Sequence, residues 1–117
     1  MSSKFLFFIF VLAIAGCDKK LQSAIEASQK GVALIASSEV EEGRDSLFSA
    51  KSIYEELLVE NPENALYQNN YGWVLMQLKE YDAAEIQFNK AAEKSESINP
   101  SSAPNENLAE LAILKAQ

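Results

Sequence analysis

Cys17 is the residue whose type and position point most directly to covalent chemistry. The chain of 117 residues has one cysteine and no histidine. An internal disulfide, a zinc site built from cysteine and histidine, and histidine-based acid–base catalysis are therefore excluded. An uncharged, largely apolar segment from Phe5 to Gly16 follows the single positive charge of Lys4. It is shorter than the roughly 20 residues that a transmembrane helix needs, and it is typical of a cleaved secretory signal peptide.

The residues just before Cys17 indicate which kind of signal peptide the segment is. Ile14, Ala15, Gly16 and Cys17 resemble the lipobox of bacterial lipoproteins. The resemblance implies that residues 1–16 are removed as a signal peptide and that Cys17 receives covalent lipid, with no other cofactor expected. Two or three acyl chains would anchor the protein stably in a membrane. The alternatives are an ordinary secreted protein with a cysteine near the cut, and an apolar helix that buries Cys17.

The residue after Cys17 bears on which membrane holds the protein. Asp18 resembles the signal that keeps enterobacterial lipoproteins in the inner membrane. We therefore expect a lipid-anchored protein of the bacterial cell envelope, on the inner membrane facing the periplasm, with the outer membrane as the alternative. Loss of Lys4 would take the net charge from −7 to −8, which disfavours spreading of the protein on anionic lipid.

Polar side chains elsewhere give little support for catalysis. The acidic pairs, such as Glu41 with Glu42 and Glu55 with Glu56, are spread along predicted helix surfaces. We expect them to be solvent-exposed charges rather than catalytic carboxylates. The four glycines are too far apart for a phosphate-binding loop. An excess of acidic residues and the lack of a basic patch argue against nucleic acid as a partner. We expect neither an enzyme nor a metal site.

The body of the chain has the apolar spacing of helices. Residues 17–30 are expected to hold the lipidated N terminus and the start of a first helix, which the pattern ends near Gly43 as its C-terminal cap. Asp45 is then the expected N-cap of a second helix. Pro62 disfavours helical geometry at Asn61 and ends that helix.

Three further helices follow in the same pattern. Asn64 is the expected N-cap of the third helix, and the fourth helix is predicted from Glu80 to Lys94. A loop is predicted over 95–102, before a last helix with Pro104 in its first turn.

An offset of 34 residues aligns the chain with itself, pairing Ala50 with Ala84 and Tyr54 with Phe88. At this offset the sequence resembles the tetratricopeptide repeat family. The matching positions are Pro62, Gly72, Tyr81, Ala84, Phe88 and Ala91. The resemblance implies an all-α fold, a short right-handed α-solenoid with two helical hairpins in 31–98 and a capping helix in 99–117.

The first repeat fits less well than the second. The strict offset places Glu41 opposite Leu75, whereas one extra turn residue would place Val40 there and keep the apolar face continuous. Both registers stay open. We predict a single core that joins the two units, made of Tyr54, Leu57, Tyr71, Gly72, Leu75, Tyr81, Ala84, Phe88 and Ala91.

Binding is the function that the family resemblance implies, because its first helices line a concave face that accepts a peptide or a partner's helix. On the third helix this face would carry Asn69, Trp73, Met76 and Gln77. Trp73 is either an interface anchor or a core residue beneath the last helix. We expect a membrane-anchored module or scaffold for protein–protein interaction in the envelope. A self-associating structural subunit, a homo-oligomer without a separate client, is the alternative.

Overall fold

The computed structural model describes residues 19–98 and 103–117. This part of the chain forms five α-helices and no strand, which confirms the all-α prediction. The predicted signal peptide, Cys17 and residues 99–102 of the predicted loop lie outside the described residues. The helices are α1 (Lys19–Ala36), α2 (Val40–Glu60), α3 (Ala65–Gln77), α4 (Tyr81–Ile98) and α5 (Ala103–Ala116).

The turn between α1 and α2 corrects the sequence prediction. Ser38 adopts a left-handed φ of 74°, and the N–H groups of Ser38 and Glu39 donate to the carbonyls of Ile35 and Leu34. This is the Schellman pattern of hydrogen bonds that ends a helix. A glycine usually occupies this left-handed position, but here the residue is a serine. The prediction that the nearest glycine, Gly43, caps α1 is therefore wrong.

Gly43 instead lies within α2, as does Asp45, so neither is a cap. A Cβ atom on Gly43 would lie 2.6 Å from the carbonyl oxygen of Gly31, and one on Gly31 would lie 2.8 Å from the carbonyl oxygen of Gly43. The glycine pair therefore allows the backbones of α1 and α2 to approach closely. Its structural requirement is the absence of a side chain.

The turn between α3 and α4 repeats the first turn 41 positions later. Lys79 has a φ of 66°, and the N–H groups of Lys79 and Glu80 donate to Met76 and Leu75. The same spacing relates Gly31 to Gly72, Gly43 to Ala84, Leu47 to Phe88 and Ala50 to Ala91. The two hairpins are thus equivalent at 41 residues rather than 34.

The predicted offset failed because the difference is seven residues, almost two helical turns of 3.6 residues each. A shift of seven residues along α2 returns a side chain to nearly the same face of the helix. The 34-residue offset therefore aligned Ala50 with Ala84, although Gly43 is the structurally equivalent residue. Neither predicted register for the first unit is correct, since Glu41 and Val40 are both exposed. Leu34 is the residue equivalent to Leu75.

The other helix ends agree more closely with the sequence. α2 ends at Glu60, just before Asn61, and the side chain of Asn64 caps α3 by accepting a hydrogen bond from the N–H of Tyr67 at 3.0 Å. Pro104 lies in the first turn of α5. The predicted loop starts too early, because α4 continues to Ile98.

The described residues form two core clusters rather than the single predicted core. The first contains Tyr54 and Leu57 among residues from α1, α2 and α3. The second joins α3 and α4 to α5 through Leu75, Met76, Ala84, Phe88 and Leu111. Tyr71 and Trp73 are partly buried and pack against both clusters. The α3 helix therefore links two local cores.

α5 covers the outer side of the second hairpin. Leu111 is 1% exposed within the second cluster, with Leu108 and Leu114 packed against it. Lys115 of α5 pairs with Asp82 at 3.0 Å and Glu85 at 2.8 Å on α4. Apolar burial supplies most of this attachment, since exposed ion pairs typically contribute about 0–1 kcal/mol.

Candidate functional site

A cleft of about 290 Å³ lies between the first helices of the two hairpins. The equivalent residue pairs Ser28–Gln29 on α1 and Asn69–Asn70 on α3 both contribute to its walls. Tyr54 from α2 and Asn107 from α5 also reach it. Among the described residues, the lining consists of Ile25, Ser28, Gln29, Tyr54, Asn69, Asn70, Trp73 and Asn107.

The deep part of the cleft contains a phenol and a carboxamide. Tyr54 is 1% exposed; burial raises the pKa of its hydroxyl, and the nearby Asn70 side chain partly opposes that effect. The amide nitrogen of Asn70 is buried without a hydrogen-bond partner. Asn70 is thus close enough to act on the phenol, but its geometry falls short of a hydrogen bond. A buried donor in this state costs free energy until it meets an acceptor.

A hydrogen bond between two carboxamides crosses the rim. Nδ2 of Asn107 donates to Oδ1 of Asn69 at 3.0 Å, which ties α5 to α3 beside the cleft. The Ser28 hydroxyl instead donates to the carbonyl oxygen of Ala24 at 2.7 Å. Carboxamides carry both donors and acceptors, so the Asn69 nitrogen and the Asn107 oxygen can still meet a ligand.

The structure separates the four residues predicted to line the concave face. Asn69 and Trp73 line the cleft. Met76 is a correction, because it is 2% exposed and belongs to the second core cluster. Gln77 is half-buried at the end of α3 and does not line the cleft. Three residues from Trp73, Met76 is rotated about 60° around the helix, toward α4 and α5.

Trp73 combines parts of the two interpretations proposed for it. The indole is partly buried against both core clusters, and it also lines the cleft. Its packing restricts the position of the ring, while its cleft side can contact a ligand. A large aromatic side chain held in this way can supply apolar contact area at low entropic cost.

Sequence reasoning missed the contributions of α1, α2 and α5 to the cleft. Ser28 and Gln29 become recognisable only through their equivalence to Asn69 and Asn70 at the 41-residue spacing. Tyr54 was assigned to the core, where it does lie, although it also forms the cleft floor. Asn107 was overlooked because the last helix was judged by its apolar positions alone.

The predicted repeat positions have structural roles outside the cleft. Gly72, Ala84, Phe88 and Ala91 are buried, and Tyr81 packs against the second cluster. Pro62 is exposed beyond the end of α2, where its carbonyl oxygen accepts a hydrogen bond from Nε2 of buried Gln68 at 2.9 Å. These positions support the two hairpins and their connection.

A shallower depression lies between α2, α3 and α4. There the Tyr71 hydroxyl donates to Oε2 of Glu55 at 2.8 Å. Burial raises the pKa of Tyr71, and the hydrogen bond and negative charge of Glu55 raise it further. Glu55 and Lys90 are among the residues that line this depression, so it contains charged groups, unlike the described lining of the first cleft.

The described residues contain no group of three or more His, Cys, Asp or Glu side chains arranged to hold a metal ion. Within this same part of the chain, none of the helices combines the length and apolar character needed to cross a bilayer.

Comparisons with protein-family models, curated proteins and solved structures find no match to the chain.

Proposed function

We propose that this protein is a lipid-anchored, tetratricopeptide-like lipoprotein that holds a protein partner in the bacterial cell envelope. The observation that carries the proposal is the cleft between α1 and α3, with Trp73 and four carboxamides on its walls. Clefts with apolar surface and a few directed polar groups are common binding sites. The protein acts as a binding module or scaffold and performs no chemistry.

The proposed anchor places this cleft near the membrane. α1 begins at Lys19, only two positions after Cys17. Ile25, the first cleft residue along α1, is six positions after Lys19, or about 9 Å at the rise of an α-helix. A partner in the cleft would therefore lie near the inner-membrane surface facing the periplasm, where restriction to the membrane raises its local concentration.

A self-associating subunit of an envelope complex is the second candidate. An uncovered repeat end would favour that function because it exposes apolar surface to another copy. α5 instead packs over the second core cluster and buries Leu111. This arrangement favours binding of a separate partner, with homo-oligomerisation as the competing outcome.

Mass spectrometry of the native membrane fraction tests the anchor. We expect an acylated N-terminal peptide that begins at Cys17 in the natural chain, and no such species in a Cys17→Ala variant. An intact Met1, or a soluble mature form with a free Cys17 thiol, would refute the anchor. Separation of the inner and outer membranes then tests the proposed location.

Photocrosslinking tests the binding module. A photoreactive residue in place of exposed Gln29 lies on the cleft wall, whereas one at exposed Asn89 on α4 serves as the matched control. We expect a protein adduct at position 29 in native membranes and at least about tenfold less of it at position 89. Adducts made only with a second copy of this chain would favour self-assembly.

A further inference from the structure

We infer that the cleft selects an uncharged segment of its protein partner and binds that segment through amide groups. This inference rests on the proposed function, in that it assumes a protein partner. It adds the chemistry of the segment that enters the cleft. The relevant group is a backbone amide or the side chain of asparagine or glutamine, with no ionised group beside it.

Charge is the first argument for this selection. The chain has seventeen acidic and ten basic residues, yet the eight described residues that line the cleft all have neutral side chains. An ionised partner group would lose hydration there without an opposite charge in the lining. Burial of a charge without a compensating partner is strongly unfavourable. The cleft therefore disfavours carboxylates, ammonium groups and guanidinium groups.

Hydrogen-bond capacity is the second argument. Gln29, Asn69, Asn70 and Asn107 provide carboxamides along the walls, so donors and acceptors occur together. A carboxylate can only accept hydrogen bonds and an ammonium group can only donate them, whereas an amide does both. Asn69 and Asn107 already form a hydrogen bond between carboxamides beside the cleft, which shows that this lining suits amide groups.

The cleft rim provides an internal example of the same recognition. Asn107 of α5 presents its amide nitrogen to the oxygen of Asn69 on α3 at 3.0 Å. The α3 wall thus already accepts an amide from another helix. A partner amide can use the Asn69 nitrogen and the Asn107 oxygen while its adjoining apolar surface contacts Trp73. This arrangement gives directional recognition without an ion pair.

The salt dependence of crosslinking provides a test in which Gln29 is the only cleft residue that is replaced. Native membranes carrying the photoreactive residue at position 29 would be irradiated at about 50 mM and about 500 mM salt, a range over which the Debye length shortens severalfold. We expect the yield of the protein adduct to change by less than about twofold. A tenfold decrease at high salt would show an ionic contact and overturn the inference.

Charge substitution provides the matched test in the same full-length protein. Asn69→Asp and Asn107→Asp preserve side-chain size but introduce charge, and Asn89→Asp makes the same change on α4, outside the cleft. We expect the two cleft variants to lower adduct yield at least about tenfold, with the control unchanged. Circular dichroism establishes that each variant folds. Full adduct yield in folded Asn69→Asp and Asn107→Asp would overturn the inference.

The identity of the adduct separates the remaining outcomes. A protein adduct with strong salt dependence rejects uncharged recognition while leaving the binding module intact. Absence of any protein adduct at position 29 rejects the proposed function and this inference with it. An adduct that carries glycan instead of polypeptide also overturns the inference, because hydroxyl and acetamido groups of a sugar would then occupy the carboxamide cleft.

Discussion

Gly72 shows, at the scale of one residue, why a small side chain is needed between packed helices. A Cβ atom there would lie 2.6 Å from Cε1 of Phe88, whose ring is fully buried. Alanine would gain up to about 1 kcal/mol in helix propensity, but overpacking typically costs about 1–3 kcal/mol. We therefore expect Gly72→Ala to be destabilising and Gly72→Leu more so in urea denaturation.

A double-mutant cycle tests the proposed steric cause. Phe88→Leu removes the aromatic atoms nearest the added carbon, so Gly72→Ala should cost less in that background than in the natural chain. The separate cost of Phe88→Leu is subtracted within the cycle. An equal cost of Gly72→Ala in both backgrounds would contradict a direct clash with the ring.

Two tyrosines predict how stability changes at alkaline pH. Burial raises the pKa of Tyr54, and burial together with Glu55 raises that of Tyr71. An unfolded tyrosine has a pKa of about 10. Because the folded state holds these protons more tightly, their contribution to stability is complete below that pH and falls as pH rises through the folded-state pKa values.

Urea midpoints at pH 8, 10 and 11 measure this effect. We expect stability to decline above about pH 10, and the decline to be shallower in Tyr54→Phe and Tyr71→Phe than in the natural chain. Each variant is compared with its own midpoint at pH 8, which removes the loss of packing or hydrogen bonding. An unchanged pH slope in the double variant would assign the decline to other groups.

At the scale of an element, α3 depends on a specific N-terminal cap. The Asn64 side chain accepts from the N–H of Tyr67 at 3.0 Å, satisfying a donor that lacks a partner within the helix. We expect Asn64→Ala to lower the free energy of unfolding by about 1 kcal/mol, with a smaller loss in Asn64→Ser. Urea denaturation measures both, and equal losses would rule out the capping bond as the cause.

Helix type and several boundaries could be predicted from local sequence, but the repeat length could not. Asn64 and Pro104 are local signals for helix starts, and both operate as expected. Ser38 and Lys79 end helices through left-handed backbone geometry, although neither residue type requires it. The 34-residue offset was misleading because it differs from the 41-residue spacing of the two hairpins by seven residues. Seven residues are almost two helical turns, so the same residue types recur on the same helix face at both offsets.

The cleft could be predicted only in part for the same physical reason. Asn69 and Trp73 belong to one helix and share a face through their spacing. Tyr54 and Asn107 come from distant sequence positions, and tertiary packing brings them to that face. Met76 was assigned wrongly because the position of the α4–α5 core decides which side of α3 is buried.

At the scale of the whole molecule, α5 determines whether the second hairpin exposes an apolar face. Leu111 is buried against the second cluster, while Ile113 on the same helix is 62% exposed. We expect residues 18–117 to sediment as a concentration-independent monomer. A chain ending at Ile98 should form a concentration-dependent oligomer, because it exposes apolar surface around Leu75 and Phe88. Leu111→Asp should do likewise by disfavouring attachment of α5, whereas Ile113→Asp should remain monomeric because it adds a charge to an already exposed site. Concentration-dependent association of the intact 18–117 chain would instead favour the self-assembling subunit, since α5 would not then prevent association.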